Sequence, residues 1–343
     1  MCELNSVTLV VTNECNLRCK HCYVDAGRKL GNELSLGEIK DLLKQLYSMG
    51  VMQLDITGGE PLLRPDIEAI LEAIREMGFV VTLLTNGAML NEEIVEILSC
   101  MDIKFVQIPL EGLQESHEFI RGEGTFERCL DSIKLLKSKN IPVQVRTSVT
   151  KRSLSELEDL AKLLAELKVD SFLLAEFIPV GRGMAWEKDL LLNDEEKAVF
   201  QETYVRIKEA YPELSLRGGP YGYLEGQKDF VGANEFRRSI MCGLLRGDWC
   251  QIMPDGTVTP CDLIIFRAGN IRTQSIQEIW NNSPVFKTFR EFDLEKLKGS
   301  CGSCAYKRIC GGCRALAFLF NGDFYAEDPM CVRARGGLRH AAV

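Results

Sequence analysis

The stretch Cys15-Asn16-Leu17-Arg18-Cys19-Lys20-His21-Cys22-Tyr23 places three thiols within eight residues, at C-x3-C-x2-C spacing. That spacing brings three sulfurs onto one small inorganic target. It is one ligand short of the four that a tetrahedral zinc site or a four-iron cluster takes. Two readings are open at this point. In one, the fourth ligand of a zinc site comes from elsewhere, with His21 a candidate. In the other, the fourth corner is left for a ligand that is not protein, which suits chemistry rather than a structural staple.

Composition narrows the setting. A chain of 343 residues suits one large domain with a smaller one. Hydrophobic residues make up 46% and charged residues 26%. No apolar run approaches the ~18 residues of a membrane span, so a soluble globular protein is expected. Lys and Arg number 41 against 49 Asp and Glu, a net charge of −8. That balance argues against a general nucleic-acid-binding surface. The start, Met1-Cys2-Glu3-Leu4-Asn5, has neither the basic beginning nor the apolar centre of a signal peptide. A cytoplasmic location is expected, where the 14 cysteines stay reduced. With only 3 histidines, nitrogen ligation cannot dominate, and thiolate-rich usage favours iron–sulfur clusters or zinc.

From about residue 7 to 210, short β-rich runs alternate with amphipathic helical patterns. Strands are expected at Val7–Val11, Met52–Thr57, Val80–Leu84, Phe105–Leu110, Val143–Val149 and Ser171–Ile178. Helices are expected at Leu36–Ser48, Asp66–Met77, Glu92–Leu98, Phe126–Ser138, Leu154–Leu167 and Asp194–Ala210. Ser35 with Glu38, Ser153 with Glu156 and Asn193 with Glu196 stand at capping-box spacing. Six β/α units in a row imply an α/β fold, a parallel sheet with helices outside and its site at the strands' C-terminal edge. The unusual residues fall at that edge. The three thiols follow strand one, Gly58-Gly59-Glu60-Pro61 strand two, Thr85-Asn86-Gly87 strand three and Glu111-Gly112 strand four. Arg146 and Thr147 lie in strand five and Glu176 near the end of strand six. Singly these are ordinary turn formers and solvated charges; converging beside three thiols, they read as a site.

Cys15–Tyr23 resembles the signature of radical S-adenosylmethionine (SAM) enzymes, and Thr57-Gly58-Gly59-Glu60-Pro61 resembles that family's second motif. The resemblance implies a partial (β/α)6 TIM-like barrel over residues 5–215. It implies a [4Fe–4S] cluster on Cys15, Cys19 and Cys22, whose open iron binds the methionine amino and carboxylate groups of SAM. Reductive cleavage then yields a 5′-deoxyadenosyl radical that abstracts a hydrogen atom; that chemistry belongs to the cofactor. Gly58, Gly59 and Glu60 match the positions that receive the methionine amino group. His21 matches a position beside the adenine, Arg121 a cosubstrate-contacting arginine and Ile178 an apolar adenine-side residue. Related enzymes often carry Ser-x-Asp-Gly after strand four, where the serine helps hold the ribose. This chain has Pro109-Leu110-Glu111-Gly112, so Glu111 is the candidate substitute.

Residues 216–241 read as a Gly- and Tyr-rich linker. Beyond it, 8 of the 14 cysteines cluster: Cys242, Cys250, Cys261, Cys301, Cys304, Cys310, Cys313 and Cys331. Pro254-Asp255-Gly256 signals a hairpin turn between Cys250 and Cys261, and a short helix is expected near Ile276–Trp280. Two CxxC pairs alone suit a zinc ribbon as well as a cluster. Their company resembles the SPASM domain of radical SAM enzymes, over 242–335, which binds auxiliary [4Fe–4S] clusters. Cys310 and Cys313 are separated by two residues where that domain usually has three. The resemblance implies one cluster on Cys242, Cys250, Cys261 and Cys313 and an outer one on Cys301, Cys304, Cys310 and Cys331, making three [4Fe–4S] clusters in all. Cys2, Cys100 and Cys129 are left as ordinary thiols, the last two expected in the core. Asp262 stands where a sulfatase-maturating relative has the base that takes a proton from the substrate radical. Beside an anionic cluster in a closed pocket, its pKa is expected to rise.

The expected function is therefore a radical SAM/SPASM oxidoreductase that modifies a peptide or protein substrate. A flavodoxin- or ferredoxin-type external one-electron donor would drive it, with no nucleic-acid or membrane partner. One alternative is a radical SAM enzyme acting on a tetrapyrrole in haem or haem d1 biosynthesis. The first strand near residue 7 leaves no room for an N-terminal leader-binding domain, which lowers the peptide reading. An alternative of another class is a zinc-binding interaction module.

Overall fold

Strand alternation decides which face of the sheet is buried. In Val143–Val149, residues 143, 145, 147 and 149 are buried while Arg146 between them is exposed. The buried set packs under helices, and the other set turns toward the inside of a curved sheet. A computed structural model describes residues 3–220 and 241–331. It contains β1 (Ser6–Val10), β2 (Gln53–Thr57), β3 (Val80–Leu84), β4 (Asp102–Pro109), β5 (Val143–Val149), β6 (Ser171–Glu176) and β7 (Ser215–Gly219). Between them run α1 (Leu36–Ser48), α2 (Ile67–Glu76), α3 (Glu92–Ser99), α4 (Gln114–Arg121), α5 (Thr125–Ser138), α6 (Leu157–Glu166), α7 (Glu187–Leu190) and α8 (Asp194–Ala210). β8 (Trp249–Ile252), β9 (Thr257–Thr259) and β10 (Gly269–Asn270) follow.

The sheet is 10-stranded, in the order β10-β9-β8-β1-β2-β3-β4-β5-β6-β7. β1 to β7 pair in parallel with their sequence neighbours. This is the expected partial TIM-like barrel, with one strand more than the six expected. β7 pairs with β6 from Ser171↔Ser215 onward, so the expected linker begins inside the sheet; 221–240 and Cys2 lie outside the described residues. At the other side, β8 pairs with β1 in parallel (Ser6↔Trp249 to Leu9↔Ile252) and continues into an antiparallel β8–β9 hairpin at the predicted turn. The cysteine-rich region thus begins as an extension of the barrel sheet. Its Cys250, Ile252 and Val258 belong to the same apolar core as Val7, Leu54 and Val145.

Local signals hold where the side chains are free to use them. Ser35 and Asn193 form complete capping boxes with Glu38 and Glu196. Ser153 does not. Residues Leu154–Glu156 form a 3-10 turn and α6 starts at Leu157. Glu156 is engaged elsewhere, accepting from Leu113 N and Ser116 Oγ, both at 2.8 Å, at the start of α4. Cys129 is buried as expected; Cys100, at the end of α3, is exposed instead.

Candidate active site

The Cys15–Cys22 loop leaves β1 and lies across the C-terminal ends of the parallel strands. Backbone contacts fix its course. Gly59 N donates to Thr12 O at 2.8 Å and Glu60 N to Glu14 O at 2.7 Å. A Cβ on Gly59 would stand 2.3 Å from Glu14 O, so only glycine allows this edge to meet the loop. From the far side, Gly181 takes φ +56° and would place a Cβ 2.4 Å from Tyr23 O. Arg182 N then donates to Cys22 O at 3.0 Å, and Arg182 Nε to Cys19 O at 3.0 Å. Its Nη1 reaches Ala26 O and Asp25 Oδ1, so one arginine after β6 pins both ends of the loop. Sequence reasoning gave Arg182 no role.

Below the loop lies a cavity of about 390 Å³. Cys15, Cys19, Cys22, His21, Gly58, Gly59, Glu111, Arg121, Ile178 and Asp262 all line it. Glu60 stands behind the wall. It is fully buried, and its carboxylate accepts from Thr85 Oγ1 (2.6 Å), Asn86 N (2.7 Å) and Leu62 N (3.1 Å). It therefore ties the Gly58-Gly59 edge to the Thr85-Asn86-Gly87 turn. Burial raises its pKa against those hydrogen bonds. Asp262 is exposed, not closed in, with Cys261 Sγ 3.6 Å from its Oδ1.

A buried polar group forms the wall after β4. Glu111 Oε1 accepts from Arg121 Nε at 2.8 Å and Nη2 at 2.5 Å, and His21 Nε2 lies 3.0 Å away. Ser148 N donates to Glu111 Oε2 at 2.7 Å. Burial alone would raise the Glu111 pKa, but Arg121, His21 and that N–H outweigh it and hold it well below the ordinary value. Arg121 also stands 3.7 Å from Cys19 Sγ. Burial lowers the His21 pKa, Glu111 opposing. Its Nε2 faces Glu111, and Nδ1 has no partner among the described residues. Pro109 lines the cavity where a serine was expected, and the Glu111 carboxylate is already committed to protein groups.

The cysteines show a recurrent local geometry. The N–H two residues on is aimed at sulfur in Leu17→Cys15 (3.4 Å), Leu263→Cys261 (3.4 Å), Tyr306→Cys304 (3.4 Å) and Gly312→Cys310 (3.3 Å). Asp328 N meets Cys301 Sγ at 3.4 Å, and Arg314 Nη2 lies 3.6 Å from the same sulfur. Such donors suit thiolates that hold a cluster, where hydrogen bonds to sulfur tune the potential. Among the described residues, no three His, Cys, Asp or Glu side chains converge at the distance of a single metal ion.

Two groups form in the C-terminal region. Cys242, Cys261 and Cys313 pack against a small apolar cluster of Leu244, Ile264, Phe289 and Ala315, with the free thiols of Cys242 and Cys313 in hydrogen-bond contact. Cys301, Cys310 and Cys331 share a second neighbourhood, with Cys304 one turn from Cys301. Two buried side chains organise it. Arg314 donates to Phe324 O (2.8 Å) and Ala326 O (2.7 Å), and Asp328 accepts from Cys313 N (2.7 Å) and Met330 N (3.0 Å). The structure does not bring Cys250 to either group. It is fully buried on the core face of β8, while its neighbour Gln251 faces the cavity. Burial pushes its thiol up to about 12, with only Arg290 as a charged neighbour.

Comparison with known proteins bears on this geometry. A family model for the radical SAM superfamily matches residues 9–167, and one for an iron–sulfur cluster-binding domain, SPASM, matches 242–305. The chain is 34% identical over 338 residues to an AdoMet-dependent heme synthase of Methanosarcina barkeri, covering 95% of each chain. It is 30% identical over 337 residues to the mycofactocin maturase MftC of Mycobacterium tuberculosis, covering 95% of this chain and 82% of that one. The structure of Streptococcus suis SuiB bound to precursor peptide SuiA superposes with a TM-score of 0.79 at 20% identity, over 96% of this chain and 76% of that one, a likeness of fold. No helix among the described residues is long and apolar enough to cross a membrane. The zinc-module alternative gives way to a redox enzyme, and the chain belongs to the radical SAM superfamily, with a C-terminal SPASM domain.

Proposed function

We propose that this radical SAM/SPASM enzyme acts on a tetrapyrrole, a precursor on a route to haem, in the cytosol. The observation that carries this reading is the 34% identity to a heme synthase across 95% of both chains. The peptide reading, placed first on sequence alone, becomes the second. It is supported by the 30% identity to MftC.

The residues present fit three [4Fe–4S] clusters and SAM. Cys15, Cys19 and Cys22 hold the cluster that binds SAM. Cys301, Cys304, Cys310 and Cys331 hold the outer auxiliary cluster, and Cys242, Cys261 and Cys313 the inner one. When bound, the SAM cluster supplies an electron that cleaves SAM to the radical that takes a hydrogen atom from an unactivated carbon. The chain's residues do the rest. The Gly58-Gly59 edge presents backbone groups to the methionine amino group, with Glu60 fixing that edge from behind. His21 and Ile178 flank the adenine. Arg121 is held in place by Glu111. A flavodoxin- or ferredoxin-type protein delivers the electron from outside.

The reading is tested with anaerobically reconstituted enzyme, SAM and a reductant. A carboxylate-bearing iron porphyrin is expected to change mass in a SAM-dependent way. Turnover of a peptide, with every porphyrin inert, overturns the tetrapyrrole reading. Asp262, exposed at the cavity wall, is assigned the base whose carboxylate takes the proton lost from the substrate. Asp262→Asn is expected to lower product formation by about 100-fold or more while SAM cleavage continues. Product at the wild-type rate removes the assignment. Cys250→Ala is expected to keep about twelve irons per chain, whereas Cys261→Ala falls to about eight. Equal iron loss in both returns Cys250 to the ligand set.

A further inference from the structure

Three guanidinium groups line the cavity: Arg121, Arg146 and Arg182. Two are neutralised by the protein. Arg121 is paired with Glu111, and Arg182 with Asp25 and two loop carbonyls. Arg146 is different. It stands on the inner face of β5, is exposed to the cavity, and its guanidinium makes no ion pair or hydrogen bond among the described residues. Exposed to the cavity, this guanidinium is open to an anionic ligand. Its planar fork matches a carboxylate.

Position separates this arginine from the cosubstrate's own carboxylate. The Gly58-Gly59 edge follows β2, and β3 and β4 lie between it and β5. Three strand spacings amount to about 14 Å along the sheet. The methionine amino and carboxylate groups share one carbon, so a cosubstrate anchored at Gly58 and Gly59 keeps its carboxylate near β2. Depth separates them as well. Arg146 pairs with Pro109, two residues before Glu111, and lies two residues down β5 from Ser148, whose N–H meets Glu111. That is about 7 Å deeper than the Glu111 layer. Tyr23 lies within the electrostatic reach of both Arg146 and Asp262, and Met253 and Leu263 from the C-terminal region add apolar surface. A flat apolar ring with an acidic rim fits such a wall.

We propose that Arg146 is a specificity residue that binds a carboxylate of the substrate, at the end of the cavity away from the Gly58-Gly59 edge. The assignment rests on the tetrapyrrole reading and adds to it which group on the macrocycle is recognised and by what.

The test uses reconstituted holoenzyme, wild type, Arg146→Gln and Arg146→Lys, in anaerobic binding titrations. The probes are metal-free mesoporphyrin IX, its dimethyl ester, and SAM. Wild type is expected to bind the free acid more tightly than the ester. Arg146→Gln is expected to weaken free-acid binding by about 10- to 100-fold, with ester binding and SAM affinity unchanged and Arg146→Lys in between. Equal weakening of acid and ester overturns the inference, because a carboxylate contact cannot produce it. So does a fall in SAM affinity with porphyrin binding unchanged, which assigns the guanidinium to the cosubstrate. If wild type and Arg146→Gln bind the free acid alike, Arg146 is excluded while the tetrapyrrole reading stands. If wild type binds neither porphyrin, that reading fails and the inference falls with it.

Discussion

Arg121→Met is expected to lower the unfolding free energy by about 3–5 kcal/mol at neutral pH, the loss typical when one partner of a buried ion pair is removed. Glu111 is 1% exposed, and Arg121 supplies two of its hydrogen bonds. With that charge gone, burial acts on the carboxylate with only His21 and the Ser148 N–H to oppose it. The sign with pH follows. In the wild type, the Glu111 pKa is depressed, so its contribution is present above the unfolded value and is lost as pH falls through the folded one. In the variant the pKa moves up, so the deficit is largest at neutral pH and shrinks as acid protonates Glu111. Adding Glu111→Gln to Arg121→Met removes the stranded charge and should recover most of the loss. Urea unfolding at pH 7.5 and 5 measures all of this. A single-variant loss below about 1 kcal/mol, the scale of a surface pair, would sink it.

The second large effect lies where the barrel meets the tail. Lys197 of α8 is 3% exposed, stands 3.0 Å from Glu176 at the end of β6 and donates to Met330 O at 2.7 Å. One ammonium thus binds the barrel rim to the residue before Cys331. Lys197→Met should cost about 3–5 kcal/mol, with recovery by a second change, Glu176→Gln. Because Met330 loses its anchor, Cys331 is released from its place, and iron should fall from about twelve to about eight per chain. Unfolding curves together with iron analysis check both halves. Full iron with lost stability would mean that the clamp serves the barrel alone.

How far the sequence could be read depended on how local each signal was. The β/α alternation, the Ser35 and Asn193 caps and the Pro254-Asp255-Gly256 hairpin are all decided within a few residues, and all appear. Ser153 carried the same signal and failed, because Glu156 was drawn to α4 from 43 positions away in the chain. β7 escaped notice because Ser-Leu-Arg-Gly-Gly lacks β-branched residues and is held by pairing to β6. β8 was legible as a strand but not as a neighbour of β1; no nearby residue encodes that partner. At the site, residue types converged as expected, while orientation did not follow from type. Glu60 belongs to its motif yet faces the Thr85 turn, and Cys250 shares a cysteine pattern yet faces the core. Alternation along β8 could have shown the latter: Gln251 and Cys250 cannot both face the cavity.

The parallel pairing of β8 with β1 also has a consequence for the newborn chain. Ser6 leaves the ribosome before its partner Trp249, which follows 243 positions later. At 5–20 residues per second that wait is roughly 12 to 50 s. Through this interval β1 has one open edge, with the Cys15–Cys22 loop hanging from its end. An open parallel edge is a template for wrong partners, and pairing across so long a separation is intrinsically slow. The loop therefore gains its neighbours around Cys261 and Asp262 only once that part of the chain has been made, which ties the maturation of the first cysteine-bearing region to the synthesis of the second.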